Sequence, residues 1–598
     1  MTDIKHAHTF HIPVMGLAFT IDSPLRVAQY GIDSVISIMD DDLIEKMNAF
    51  YSDKFKRPYQ EVTQKMEDFR AKRITNYLNM MDSVITEKFE SYKQELTEKQ
   101  SKLEEFMSIL PSTSGLKQKL QQALTAGKQN LSEIRSVLDE YFSPGSIDVN
   151  IMTKVDKDNF SGKEQLPVIY NDAHAALRGF AASTTKSSVV FSAGMNPRLY
   201  SYIEAFDDFY PDENGAFNKK IILKVSDFRS ATVQANLLAK KGIWISEFRI
   251  ESGLNCGGHA FATEGHLMGP ILAEFRSRRT ELEHTAYDLL VKALEAKGKV
   301  IPSEIPKVKY TVQGGVGTAE EHQFLLEHYQ MDSVGWGSPF LLVPEATSVD
   351  PETRELLAKA KEEDLYLSNI SPLGVPFNTL RGTSNEILKS KRADSGKAGS
   401  SCPKKYLALS KEYEAEGICT ASRKYQDRKI EELNERKTEL SPENYNNAFG
   451  TITEKSCLCV GLANSSYIEL GLPVKGQAQG VVVCPGPNIA YFSKTYSLKE
   501  MIQHIYGEKS AENHSERPNV MLKELNLYIE NLSAQLQTGG EMTAQQIKKW
   551  EAFKSNLLLG ISYYKDLFAE SKFFSKDRPL IQAQLSSCES VLLKMQAS

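Results

Sequence analysis

Tyr310-Thr-Val-Gln-Gly-Gly-Val-Gly-Thr-Ala-Glu-Glu-His322, followed by Asp332-Ser-Val-Gly-Trp-Gly-Ser-Pro-Phe340, decides how this chain is read. The first stretch is a short apolar strand ending in Gly314, Gly315 and Gly317, with a helix predicted from about Ala319. Glycine lets a backbone approach a ligand closely, and a helix start offers N–H groups at the positive end of the dipole, so the turn favours a phosphate. The second stretch repeats the design, with Ser333-Val334 leading into Gly335, Gly337 and the hydroxyl of Ser338. Two consecutive strand–glycine–helix units predict one phosphate cup at the C-terminal face of a (β/α)8 barrel, where the loops after strands 7 and 8 usually hold a phosphate.

Working outward, six further apolar runs precede this pair: Phe10–Thr20, Ile32–Met39, Ser146–Lys154, Ser188–Gly194, Lys220–Val225 and Ile243–Ile250. Helical stretches are predicted between them over Asp172–Ala182, Pro197–Phe206, Ala231–Lys241 and Arg278–Lys297. Continuous apolar runs alternating with helices mean a parallel sheet covered on both faces, and eight units suggest closure. The fold class is therefore α/β, a TIM barrel over residues 1–45 and 145–385, close to the ~250 residues such a barrel takes.

Residues 46–144 break the rhythm after the second strand. Leu78, Met81, Ile85, Phe89, Tyr92, Leu96, Leu103 and Phe106 recur at helical spacing among Lys and Glu, predicting a long amphipathic helix in a helical insertion broken near Pro111. Beyond 385, Lys389–Ser401 reads as a polar linker, 386–500 as a cysteine-containing segment, and 501–598 as a C-terminal helical region with two amphipathic runs. The helical parts suit a structural cover, a homo-oligomer contact or the docking of a carrier protein.

Composition excludes several function classes. The chain has 598 residues, 41% hydrophobic and 25% charged, with 71 basic against 77 acidic residues. A net charge of −6 without a basic patch argues against nucleic acid. No apolar run approaches the ~20 residues of a membrane span. The first residues lack the basic and apolar regions of a signal peptide, and seven cysteines are too few for a disulfide framework, which together suggest a cytoplasmic protein.

After the sixth strand comes Glu251-Ser-Gly-Leu-Asn-Cys-Gly-Gly-His259. This places an imidazole on a tight loop at the face where barrel active sites form, and histidine exchanges protons near neutrality. Pro13-Val-Met-Gly16, Gly257-Gly-His259, Gly314-Gly-Val-Gly317 and Gly335-Trp-Gly-Ser-Pro-Phe340, in that order, resemble the nitronate monooxygenase family, once called 2-nitropropane dioxygenases. They equally resemble the related FMN-dependent enoyl-thioester reductases. The resemblance covers the barrel and implies an FMN cofactor. It puts the catalytic histidine at His259, the FMN phosphate at Gly314, Gly315, Gly317, Gly337 and Ser338, and flavin-ring contacts at Met15 and Gly16. Ser371–Arg381 is similar to the family's closing segment. Asn255 and Cys256 depart from the family's usual acidic and small residues, and Trp336 from its smaller one.

Lys154 and Lys224 stand at or near strand ends, where a cation would stabilise a reduced flavin, or be an ordinary surface lysine. Five cysteines, Cys402, Cys419, Cys457, Cys459 and Cys484, lie close together in sequence. Two precede proline, as iron–sulfur ligands often do, but their wide spacing favours buried free thiols. Cys256 is a candidate reactive thiol or a packing residue. The sequence thus predicts an FMN-dependent oxidoreductase, with nitronate oxidation as the first expectation. NAD(P)H-dependent reduction of an acyl thioester is the alternative, and a barrel without chemistry is a third.

Overall fold

The computed structural model describes residues 7–125, 131–192, 194–473, 480–511, 517–537 and 542–596. Eight parallel strands close into a barrel: β1 (Phe10–Ile12), β2 (Asp33–Ser37), β3 (Ile147–Ile151), β4 (Ser188–Phe191), β5 (Lys220–Val225), β6 (Glu247–Glu251), β7 (Lys309–Gln313) and β8 (Ser333–Gly335). Neighbours follow chain order, and the seam closes where His11 of β1 pairs with Gly335 of β8. All eight predicted strands are present. β6 starts at Glu247, because Trp244 and Ile245 bury their side chains in the turn before the ladder begins.

The barrel interior is layered. Val35, Val190 and Ile222 make an apolar layer with Val14. Elsewhere inside the barrel the strands carry polar side chains that satisfy one another: Glu247 accepts from Arg249 Nε at 2.8 Å and from Thr311 Oγ1 at 2.5 Å. Burial, together with nearby Asp33, raises the carboxyl of Asp148 to about 7.

The insertion between β2 and β3 comprises helices Asp41–Lys54, Phe69–Glu98, Gln100–Ile109, Gly115–Thr125 and Leu131–Tyr141. The single helix predicted through Phe106 is broken at Lys99, whose backbone is extended (φ −119°, ψ 102°). The break re-aims the apolar stripe, so that Phe106 packs on Phe142 with ring centroids 4.7 Å apart. Buried charges fasten the insertion to the rest. Asp41 accepts from Arg70 Nε at 2.9 Å and Arg73 at 2.8 Å, Arg70 also pairs with Asp172, and Tyr406 donates to Asp41 at 3.0 Å. Removing one partner of such a set strands a buried charge.

The polar stretch expected as a linker over Lys389–Ser401 is a correction: helix Ser384–Asp394 occupies its first half. Thr383 caps that helix by accepting from Glu386 N, and Lys391 and Arg392 oppose the dipole at its end. It buries almost no apolar side chain, so apolar periodicity gave no sign of it. The C-terminal region holds helices Leu498–Ile505, Val520–Gln537, Ala544–Glu570 and Arg578–Lys594, one more amphipathic helix than the two runs expected after residue 520. Buried apolar side chains run without a break from the barrel through the insertion to Leu592. No helix among the described residues is long and apolar enough to cross a membrane.

Two histidines in this core predict acid lability. Burial lowers His322 to about 3 and His8 to about 4, against an ordinary 6.5. Trp336 Nε1 donates to His322 Nδ1 at 3.2 Å, which leaves His322 Nε2 as the N–H facing Thr9 Oγ1 at 3.0 Å. Both rings are neutral when folded, whereas the unfolded chain protonates them below pH 6.5. The contribution of these two rings is therefore full above pH 6.5 and is lost progressively as the pH falls toward 3–4. The denaturant midpoint measured across this window should fall steeply, and His322→Gln should flatten part of the fall.

Candidate functional site

The C-terminal strand ends open into a cavity of about 440 Å³, within the range of small-molecule and cofactor sites. Its floor is polar where strands end in Ser37, Asn150 and Gln313, and its walls carry Met15, Leu17, Met152, Phe261, Leu373 and Leu462. His259, Met15, Gly16, Lys154, Lys224, Gly314, Gly315, Gly337 and Ser338 all line it. Residues more than 300 positions apart in sequence are thus brought to one place by the barrel.

Gly317 lies elsewhere. Its N–H donates to Glu321 Oε2 at 2.9 Å, and its carbonyl accepts from His504. Helix Ala319–Glu327 opens with a capping box in which Glu321 N bonds Thr318 Oγ1 and the Glu321 carboxylate takes the amides of residues 317 and 318. The helix start expected to receive a phosphate is therefore filled by the chain's own carboxylate. That carboxylate is in turn paired with buried Arg517 at 2.7 Å. What remains of the cup is the pair of glycine turns. Gly315 has φ +81°, and a Cβ there would sit 2.1 Å from the Asn255 amide, so the turn accepts glycine alone. Around Gly337 the nearest atoms are Pro13 Cγ at 3.4 Å and Met15 Sδ at 3.9 Å, leaving space beside its backbone. Ser338 Oγ accepts from Gly486 N at 2.7 Å.

The His259 loop is clamped on both sides. Gly258 N donates to the Cys484 carbonyl at 3.1 Å, Asn378 N donates to the Gly258 carbonyl at 2.9 Å, and Asn378 Nδ2 donates to the Cys256 carbonyl at 2.7 Å. The ring meets Phe377 edge-on, with centroids 4.8 Å apart, and its Nε2 bonds Ser371 Oγ at 2.7 Å. Burial, with a smaller push from Lys154, lowers His259 to about 4, so it is a neutral imidazole at pH 7. Glu524, raised to about 7 by burial, ties this loop region to helix Met268–Lys297, accepting from Ser252 Oγ at 2.5 Å and from Met268 N at 2.8 Å.

The two lysines differ. Lys224 is neutralised by Glu251 at 2.8 Å, while Lys154 places its ammonium 4.5 Å from the centre of the Phe261 ring. Burial pushes the Cys256 thiol well up, and its sulfur rests 3.7 Å from the Gln313 carbonyl, which makes it a packing group. Trp336 is fully buried and points to His322, away from the cavity. Sequence reading missed Leu462, Cys484 and Asn488, which reach the cavity from beyond the barrel. It also missed the Ser371 contact to the histidine. The Pro-Gly-Pro run after Cys484 was the available sign of a tight segment there.

A flavin fits these residues by its donor pattern. Among the described residues, the side-chain oxygens Asn150 Oδ1, Asn255 Oδ1 and Gln313 Oε1 are buried without a hydrogen-bond partner, and all three residues line the cavity. A buried polar atom left unpaired costs about 1–3 kcal/mol, so such atoms at a cavity wall point to a polar ligand. The flavin pyrimidine ring presents one N–H and two carbonyls, which suit an amide oxygen and a lysine respectively.

No protein-family profile matches this chain, and no curated protein matches it in sequence. Among solved structures it is similar to FabK from Thermotoga maritima, at 14% identity and a TM-score of 0.34, over 88% of this chain and 97% of that one. It is also similar to the enoyl reductase domain of MlnA from the macrolactin biosynthesis cluster of Bacillus amyloliquefaciens, at 15% identity and a TM-score of 0.32, over 71% of this chain and 89% of that one. Likenesses this remote carry no statement about activity.

Proposed function

We propose that this chain is an FMN-dependent oxidoreductase in which His259 moves a proton at the substrate carbon beside the flavin. One observation carries the reading: a neutral, hydrogen-bonded imidazole lines the cavity at the barrel mouth together with Asn150, Asn255 and Gln313, whose buried amide oxygens have no hydrogen-bond partner. The glycine turns at Gly314, Gly315, Gly337 and Ser338 would hold the phosphate, Asn150 and Lys154 the pyrimidine edge, and Met15 and Gly16 the ring. When bound, the flavin accepts and returns the electron pair. Ser371 fixes the His259 ring, so that its other nitrogen is presented to a substrate. The apolar walls exclude water from the reacting carbon.

Within this class, oxidation that starts from the nitroalkane needs His259 as a base at a carbon acid: its neutral state leaves it able to accept the proton, while its lowered proton affinity makes it a weak base. The wall formed by Leu17, Met152, Phe261, Leu373 and Leu462 favours the second reading, reduction of an acyl thioester with NAD(P)H, because it suits an acyl chain better than a small nitronate. Purified protein should show a flavin spectrum, or acquire one with added FMN. Bleaching by NAD(P)H without air supports thioester reduction, and bleaching by a nitronate alone supports oxidation. Gly337→Leu should abolish flavin uptake while leaving the circular dichroism unchanged. A colourless protein that takes up no FMN would overturn the proposal.

A further inference from the structure

Beyond the barrel, Cys402, Cys419, Cys457 and Cys459 are buried free thiols, and no set of His, Cys, Asp and Glu side chains able to hold a metal ion occurs among the described residues. The cavity draws on this part of the chain through other residues. Gly486, Asn488, His504 and Arg517 each donate a hydrogen bond to the two glycine turns at the barrel mouth. Gly486 N bonds Ser338 Oγ at 2.7 Å, and Asn488 Nδ2 bonds the Val316 carbonyl at 2.9 Å. His504 Nε2 bonds the Gly317 carbonyl at 2.8 Å, and Arg517 Nη2 the Gly315 carbonyl at 2.7 Å. A carbonyl only accepts, so Nε2 carries the His504 proton, and its Nδ1 accepts from Ala511 N at 3.0 Å.

These four bonds share one sense: each takes up an acceptor of the turns, and each donor comes from outside the barrel. A carbonyl oxygen turned toward a bound anion would repel it. Here the carbonyls of Gly315, Val316 and Gly317 are turned to outer donors instead. In a trans peptide the N–H points opposite to the C=O. The N–H groups of Gly317 and Thr318 run to Glu321, whereas that of Val316 has no acceptor among the described residues. Gly315 and Val316 both line the cavity. Ser338 Oγ lines it too and is spent as an acceptor, so its hydroxyl keeps one hydrogen to donate, which no protein group takes among the described residues. The segment that supplies Gly486 and Asn488 lies tight against the mouth: a Cβ on Gly257 would meet the Cys484 carbonyl oxygen at 2.5 Å, and one on Gly486 would meet Ser338 Oγ at 3.2 Å.

We propose that Gly486, Asn488 and Arg517, from beyond the barrel, are positioning residues of the phosphate cup, tying off its acceptors so that the Ser338 hydroxyl and the Val316 amide donate to the phosphate of the bound flavin. The inference rests on the reading of the cavity as an FMN site and names what gives that site its preference for a phosphate. It also accounts for a cup that works although the helix start at Ala319 is filled by Glu321.

The full chain, freed of bound flavin, is to be titrated with FMN and with riboflavin, which differ only by the phosphate. FMN should bind more tightly, and inorganic phosphate should compete with FMN and not with riboflavin. Ser338→Ala should narrow the ratio of the two affinities by about 10–100-fold, the worth of a hydrogen bond to a charged group. Asn488→Leu, or Asn488→Ser where leucine does not fold, should narrow it by about 2–10-fold with riboflavin affinity unchanged. Asn150→Ala, assigned to the pyrimidine edge, should weaken both flavins alike. Equal affinities for FMN and riboflavin in the unsubstituted protein, or an FMN preference that survives both Ser338→Ala and the Asn488 variants, would overturn the inference while leaving the flavin reading in place. A protein that binds neither flavin would overturn both.

Discussion

Replacing His259 by alanine is expected to lower turnover by about 10²–10⁴-fold, the usual contribution of a positioned acid or base, while flavin content stays unchanged. The separation follows from geometry. His259 is held by Ser371 and Phe377, and the glycine turns proposed to hold the phosphate, Gly314–Gly315 and Gly337–Ser338, belong to different loops. The pH profile carries a second signature. Burial lowers His259 to about 4, so activity limited by the neutral ring should be level from neutrality down to about pH 5 and fall as the ring protonates near pH 4. Lys154 contributes to the lowering by like-charge repulsion. Lys154→Met should therefore move the acid limb to higher pH. Turnover that survives His259→Ala within twofold would remove the histidine from the chemistry.

Glu321→Ala should be the most destabilising single change near the cavity, costing about 3–5 kcal/mol, the range for breaking a buried ion pair. Both carboxylate oxygens of Glu321 are fully used. Oε1 accepts from Arg517 and from Val520 N, each at 2.7 Å, and Oε2 takes the amides of Gly317 and Thr318 at 2.9 and 3.2 Å. Alanine would strand a guanidinium that is 4% exposed and free the turn that carries Gly314 and Gly315. Arg517 also donates to the Gly315 carbonyl at 2.7 Å, so flavin affinity should fall together with stability. The denaturant midpoint and a flavin titration measure the two effects. Pairing Glu321→Gln with Arg517→Met, which removes the unpaired charge, should recover part of the loss. An unchanged midpoint for Glu321→Ala would show that the lock carries no weight.

The same residues show how far a linear reading reaches. The strand order, the glycine turns and the His259 loop were legible because each is written in neighbouring residues: a run of apolar side chains, a turn that only glycine can make, an imidazole after a strand end. Eight such local statements imply a closed barrel, and closure brings Met15, Lys154, His259 and Ser338 to one mouth without further information. Helix Ser384–Asp394 was illegible for the complementary reason, since it buries little and leaves no apolar period.

Whether an individual polar group is free or spent was settled only by the tertiary structure. The helix start at Ala319 reads as an anion site until Glu321 and Arg517, 196 positions away, are seen to occupy it. Lys224 reads as a free cation until Glu251 neutralises it, and Trp336 as a departure from a smaller residue until it is seen to turn toward His322. Ser371, Leu462 and Cys484 reach the barrel mouth through contacts between distant parts of the chain. Periodicity and turn chemistry act over a few residues and so fix the scaffold. Hydrogen-bond satisfaction and charge pairing act between whatever the fold brings within about 3 Å, and no local pattern encodes them.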